Sequence, residues 1–289
     1  MKNKFALLLL TFFLACSPAV ANDLTDIKKR GVLRHLGVPY ANFIDGSGGG
    51  LSVEMMQLFA KYLGVQYQYV ETTWSSVIPD LVGRKVIPDG ENVIFGDATP
   101  IKGDVIANGL TILDWRQKAV AYSHPTFPTQ VWLISGLSSD LRPISPSGDL
   151  DKDIAAVKAL LPGREVLGKA DTCLDPSLYR LQEEGTQIRF FPGGMNELAP
   201  AVIKGESETA ILDVPDALVA LGKWPGQFKI IGPLSPQQQM GVAFRPDDIE
   251  LLEAFNGFFR KISEDGRYLN LVKRYYPDVL DYYPDFFSR

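Results

Sequence analysis

Two runs of alternating strand-like and helix-like segments, parted by a polar stretch, restrict the fold of this chain more than any other feature. In the first run a short helix at 24–30 stops at Gly31, and 32–38 reads as a strand. Val53, Met56, Phe59, Ala60 and Leu63 then recur at helical spacing, and Gly64 closes that helix. The alternating, β-rich 65–70 reads as a strand, 75–81 as a helix and 105–107 as a buried strand. That β-α-β-α-β order predicts a mainly parallel sheet covered by helices. A strand at 131–135 leads into Ser-, Pro-, Gly- and Asp-rich residues at 136–153, which read as a boundary. A second series follows, with helices at 154–161, from Pro176, at 197–204 and at 214–221, and strands near 166–167, 188–191, 209–212 and 228–231. A strand at 241–244 precedes a helix capped by Asp247, with an apolar stripe of Ile249, Leu252, Phe255, Phe259 and Ile262. A last helix spans 268–276.

The first residues set the compartment. Lys2 and Lys4 precede an apolar run at 5–15, and Ala19, Val20 and Ala21 give a small-x-small cleavage pattern. Residues 1–21 therefore read as a secretory signal peptide, too short to be a permanent membrane span. Cys16 follows Phe13, Leu14 and Ala15, a loose version of a lipoprotein box, so a lipoprotein anchored through Cys16 is the alternative to the expected free periplasmic protein. Beyond the leader Cys173 is the only cysteine, which leaves no intrachain disulfide.

Composition removes several function classes. A formal charge of −5 supplies no basic face for nucleic acid. Two histidines and two cysteines are too few for an expected zinc site. The glycines at 46–50 lack the following Lys-Ser/Thr of a phosphate loop. No metal or cofactor is expected.

Several segments, in order, resemble the extracellular solute-binding protein family 3, the periplasmic receptors of polar amino-acid ABC importers. They are the opening 24–34, the turn Gly50-Leu51-Ser52-Val53-Glu54, and Trp74 through Leu81. The fullest match is Gly103-Asp104-Val105-Ile106-Ala107-Asn108-Gly109-Leu110-Thr111-Ile112, then Arg116, then Tyr122-Ser123-His124-Pro125. Asn196-Glu197-Leu198, Gly205-Glu206, 210–213, 241–245 and 265–268 also match. The resemblance runs from about Leu24 to Pro277. It implies an α/β, two-lobe periplasmic-binding-protein fold with a ligand cleft between lobes joined by two crossing strands. Lobe 1 would be 22–131 plus 236–289, and lobe 2 would be 132–235.

The resemblance also implies site residues. Arg116 would take a ligand carboxylate, since its planar fork binds both oxygens, with main-chain and hydroxyl contacts from Gly109 and Thr111. The plain alternative is a solvated arginine beside Asp114. Asp213 would take an ammonium; its alternative is an ordinary cap for the helix that begins there. Thr172 and Cys173 would line a turn that closes on the carboxylate, ahead of an Asp175-Pro176 helix start whose free N–H groups attract anions. At such a start the Cys173 thiol could have a lowered pKa. Lys169 would match a ligand-contacting lysine. Tyr40 would stack on the ligand, with Trp74 as a second aromatic candidate.

The chain also departs from the family pattern. Gly37 stands where an acid is usual, Ser52 replaces an Asp, and Asp171 replaces the glycine of a Gly-Thr-x turn. An extra stretch at 85–102 joins a helix to a strand, so it should lie opposite the ligand side. The expected function is a non-enzymatic, monomeric binding protein. It would capture a small polar ligand, most simply an amino acid, close by a hinge and present it to an inner-membrane ABC permease. The alternatives are a ligand-sensing regulatory module and a periplasmic dehydratase of the cyclohexadienyl type. For the dehydratase Glu54, Glu71 and Lys169 are the loose acid candidates, and no catalytic residue is assigned.

Overall fold

The computed structural model describes residues 23–288; the expected signal peptide and Cys16 lie outside them. No helix among the described residues is long and apolar enough to cross a membrane.

The chain opens with α1 (Asp23–Arg30), whose basic last turn suits the negative end of a helix. Strand β1 (Val32–Gly37) follows. Helix α2 (Leu51–Leu63) buries Leu51, Val53, Met55, Met56, Phe59 and Ala60, as the spacing predicts, and ends at Gly64 with φ +76°. Strand β2 (Gln66–Glu71) pairs parallel to β1. The short α3 (Val77–Val82) leads into a hairpin of β3 (Arg84–Asp89) and β4 (Asn92–Ala98). Strand β5 (Val105–Thr111) pairs parallel to β1 on its other side. It is followed by α4 (Asp114–Gln117), β6 (Ala121–Tyr122) and β7 (Phe127–Thr129).

Part of the motif around β5 serves packing. Buried Asp104 accepts hydrogen bonds from the guanidinium groups of Arg30 (2.6 Å) and Arg34 (2.7 Å) and from the Arg34 amide, which ties α1 and β1 to the start of β5. Gly103 is needed because a Cβ there would lie 2.3 Å from Leu36.

The chain then crosses into a second sheet through β8 (Val131–Gly136). There it forms α5 (Leu150–Lys158), β9 (Glu165–Gly168), β10 (Gln187–Phe190), α6 (Leu198–Ile203), β11 (Thr209–Asp213), α7 (Val214–Lys223) and β12 (Phe228–Pro233). The helix expected from Pro176 is instead two four-residue 3-10 pieces, Pro176–Tyr179 and Leu181–Glu184. Arg180 lies between them at φ 58°, a left-handed conformation that no α-helix continues through.

The return runs through β13 (Gln238–Phe244), α8 (Ile249–Glu264), α9 (Arg267–Tyr275), α10 (Val279–Tyr282) and α11 (Pro284–Phe287). The buried face of α8 is Leu251, Phe255, Phe258, Phe259 and Ile262, not the stripe through Ile249, which is 60% exposed. Asp248, not Asp247, occupies the N-cap.

The first sheet has the order β2-β1-β5-β13-β6, with β7 also on β13; the second is β10-β9-β11-β8-β12. Neither is wholly parallel. β13 runs antiparallel to β5, and β8 runs antiparallel to β11 and β12. The two strands that carry the chain between lobes bring in these reversed members. At the crossing, Val131 accepts from the Leu234 amide at 2.8 Å, while its own amide donates to Ser235 Oγ at 2.9 Å. Gln130 bridges the same place by donating to the Ser235 carbonyl at 2.9 Å.

Candidate functional site

Open α/β sheets bind ligands beyond the carboxyl ends of their parallel strands. In the first lobe those ends lead to Tyr40 after β1, Trp74 after β2 and Arg116 after β5. In the second, β9 leads to Lys169, Thr172 and Cys173, and β11 ends at Asp213. The two sets face each other. Tyr40 donates a hydrogen bond across the seam to Asp213, and the Ala41 amide donates to Asn196 Oδ1 at 2.8 Å.

Arg116 is 2% exposed, so it is not a solvated arginine. Its Nη1 donates to the Thr111 carbonyl at 3.0 Å, and its guanidinium lies 5.3 Å from the Trp115 ring centre. Its Nε is buried and lacks a protein acceptor. The Thr111 hydroxyl and both side-chain amide atoms of Asn108 are likewise buried without a hydrogen-bond partner. Buried polar atoms of a folded protein normally have partners. Four such atoms fall within the nine residues from Asn108 on β5 to Arg116 on α4, at the carboxyl end of the strand where a ligand's polar groups can be met. Gly109 holds φ +71°, and a Cβ there would lie 2.5 Å from the Phe43 ring, so its place is fixed by backbone geometry and close packing.

Asp213 is 1% exposed, and the structure shows it in the capping role that was the alternative to an ammonium partner. Its Oδ1 accepts from the Asp216 amide at 3.2 Å and so caps α7, with Pro215 in the first turn. The same carboxylate accepts from Tyr40 and lies 3.7 Å from Cys173 Sγ. Burial pushes its pKa up to about 6, and hydrogen bonds from Tyr40, the Asp216 amide and Cys173 restrain that rise. Buried Asp216 is pushed well above the usual carboxylate range by burial and by Asp213.

Cys173 reports how tightly the cluster is drawn together: its thiol feels Asp213, Arg116 and Thr111 at once. Burial first, and then Asp213, push the thiol up to about 12. This overturns the lowered pKa expected at a helix start. The 3-10 piece that follows is one turn long, and a buried thiol beside a carboxylate resists ionisation.

Other expected residues take different places. The Thr172 hydroxyl is committed to its own turn, donating to the Lys169 carbonyl (2.8 Å) and accepting from the Leu174 amide (3.0 Å). Lys169 Nζ donates to the Phe191 and Pro192 carbonyls at 3.1 and 3.3 Å, in the lining of the groove that also holds Trp74. Trp74 packs edge-on to Tyr40, 5.4 Å between ring centres, and lines a 420 Å³ groove between the lobes together with Lys169 and Asp171. Glu54 is held by Arg274 at 2.8 Å, outside the cleft.

Reasoning from sequence missed Asn108, Asn196 and Tyr179. The first two lie inside quoted motifs, so the signal was present but not read as chemistry. Tyr179, which donates to the Cys173 carbonyl, carries no local signal.

The extra stretch does not lie opposite the ligand side. Val86, Ile87 and Pro88 line a cavity with Trp74, Trp115 and Asp171 at the mouth of the cleft. The reason is length. A six-residue strand rises about 20 Å, whereas a six-residue helix such as α3 descends about 9 Å. β3 therefore climbs past the level at which α3 began.

Two α/β lobes on crossing strands, with a buried cation on one face of the seam and a buried carboxylate on the other, define a two-lobe solute-binding protein. A model of the bacterial extracellular solute-binding proteins, family 3, matches residues 94–278, and the chain belongs to that family. The L-cystine-binding protein TcyJ of Escherichia coli K12 is 24% identical over 258 residues, 88% of this chain and 85% of that protein. Among solved structures, a mutant of ArgBP from T. maritima superposes with a TM-score of 0.69 at 24% identity, over 88% of this chain and 99% of that one. AncCDT-1, an ancestral amino acid-binding protein and precursor of cyclohexadienyl dehydratase, gives a TM-score of 0.68 at 23% identity, over 89% and 100%.

Proposed function

We propose that this chain is a periplasmic receptor that captures an amino acid between its lobes (22–131 plus 236–289 and 132–235) and presents it to an ABC permease of the inner membrane. The observation that carries this reading is the placement of Arg116 and Asp213 on opposite lobes, both buried and both acting on Cys173. A zwitterion presents the complementary charges. Its carboxylate suits Arg116, with Thr111 and Asn108 as further partners, and its ammonium suits Asp213. Burying either ligand charge without a partner would be costly. Because each lobe supplies one partner, the ligand itself holds the lobes together, and closure follows from binding. Tyr40 forms the wall beside Asp213.

Thermal unfolding tests this reading. The protein is unfolded, freed of ligand, refolded and heated with amino acids, small peptides, organic acids, polyamines and prephenate. A ligand at 100 times its dissociation constant adds about 2.7 kcal/mol of stability. Stabilisation by α-amino acids supports the receptor. Stabilisation by prephenate alone overturns it in favour of a dehydratase, and no response to any of them favours a regulatory module.

A further inference from the structure

The β3–β4 hairpin and Asp171 approach each other from opposite lobes. Val86, Ile87 and Pro88 on the hairpin, Trp74 and Trp115 on the first lobe, and Asp171 on the second enclose a cavity of 200 Å³. It shares Trp74 and Asp171 with the larger inter-lobe groove, so the two are continuous. Trp115 adjoins Arg116 in sequence, and Trp74 packs on Tyr40. The cavity therefore begins one ring beyond the buried polar cluster.

Its lining is apolar save for Ser75 and one acid, Asp171. Asp171 makes no hydrogen bond or ion pair among the described residues, and the nearby Lys169 spends its ammonium on two carbonyls. Asp171 also holds φ 61°, which glycine adopts freely and which costs other residues about 1 kcal/mol or more. An anion here would be repelled. A neutral apolar group would strip water from the carboxylate without replacing it. A cation meets the carboxylate on one side and the aromatic rings of Trp74 and Trp115 on another, while Val86, Ile87 and Pro88 cover an apolar stem.

We propose that the hairpin and Asp171 form an outer subsite for the distal cationic end of an amino-acid ligand whose stem is apolar. The proposal rests on the amino-acid reading above and adds the group that selects among amino acids. Lysine and norleucine share a straight four-carbon stem and differ in the terminal ammonium, so their affinity ratio isolates it.

Titration calorimetry on the refolded chain measures L-lysine and L-norleucine with wild type, Asp171→Asn and Ile87→Ser. Wild type should prefer lysine by about tenfold, the effect of one hydrogen-bonded charge pair. Asp171→Asn should bring the ratio close to one while holding norleucine within about twofold. Ile87→Ser, at an exposed position that folding tolerates, should weaken lysine and norleucine alike and spare alanine. An unchanged lysine-to-norleucine ratio in Asp171→Asn, with amino acids still bound, overturns the subsite alone. If wild type binds no amino acid at all, the receptor reading fails and the subsite fails with it.

Discussion

Tyr40 on the first lobe donates a hydrogen bond to Asp213, the residue at which β11 becomes α7 on the second. The bond joins a neutral phenol, whose own pKa is pushed well up by burial, to a carboxyl whose pKa burial raises to about 6. Asp213 must be ionised to hold an ammonium. The titratable groups that feel it are Tyr40, Cys173, Asp216, Tyr179, Tyr276 and Tyr283, and each is itself pushed upward. Amino-acid affinity should therefore rise with pH up to about 6 and level off above it. One unit below that midpoint it should be about tenfold weaker. Tyr40→Phe removes a donor to the ionised form, so the midpoint should move to higher pH. Calorimetric titrations from pH 5 to 8 on both proteins measure the shift; an identical midpoint would show that the bond does not tune Asp213.

The opposite charges across the seam make separable demands on a ligand. Arg116→Ala should weaken amino-acid binding by about 2–5 kcal/mol, the range for truncating one partner of a buried charge pair. Arg116→Lys should recover little of this, because an ammonium cannot reproduce the planar fork. Asp213→Asn should weaken amino acids and leave organic acids without an amine nearly unaffected. Equal losses for both ligand types would count against the ammonium role.

Gly109 separates structural from ligand-contacting parts of the same motif. Its φ of +71° and the 2.5 Å approach of the Phe43 ring to an added Cβ predict that Gly109→Ala destabilises the fold by about 1–3 kcal/mol. Phe43 stacks on Tyr40 with ring centres 6.2 Å apart, so the displacement should also reach the site. Denaturant midpoints measure the first effect, and ligand affinity at a temperature where the variant is folded measures the second.

How far the chain could be read in advance follows from how local each signal is. The α/β order was legible because helix and strand periods, with glycine stops such as Gly64, are properties of short windows, whereas the two-lobe arrangement was implied by the family resemblance. The hairpin was not read, although Asp89-Gly90 between Val86-Ile87 and Val93-Ile94 is a strong turn signal. Pro88 argues against a strand, and the topological rule for open sheets placed the insertion at the wrong end. That rule ignores a strand longer than the helix before it. At the site, Arg116 and Asp213 stood out as charged types in motifs. The commitment of Thr172 to its own turn could not be read, because a hydroxyl's direction is set by backbone geometry that no spacing encodes. The partnerless amide of Asn108 was hidden for the opposite reason: only the folded neighbourhood shows that nothing meets it.

His35 gives a last prediction, on stability. It lies fully buried in β1, with Nε2 2.6 Å from the Ala107 carbonyl and Nδ1 2.9 Å from the Tyr67 hydroxyl. A carbonyl only accepts, so Nε2 carries the proton and Nδ1 accepts from Tyr67, which satisfies the neutral ring. Burial lowers its pKa to about 4, against 6.5 in the unfolded chain, with the Ala107 bond opposing part of the fall. Between those values the unfolded chain binds more protons. Stability is therefore fully present above about 6.5 and falls by about 3 kcal/mol as pH drops to 4. Asp213 acts in the opposite sense over nearly the same window: its raised pKa makes the folded state bind more protons between 3.8 and about 6. The two slopes offset each other in the wild type, which alone would mislead. Urea unfolding of His35→Gln and Asp213→Asn at pH 4 to 7 separates them. His35→Gln should lose stability less steeply on acidification than wild type, and Asp213→Asn more steeply. Parallel curves for His35→Gln and wild type would show that the imidazole does not titrate between the folded and unfolded states as its burial requires.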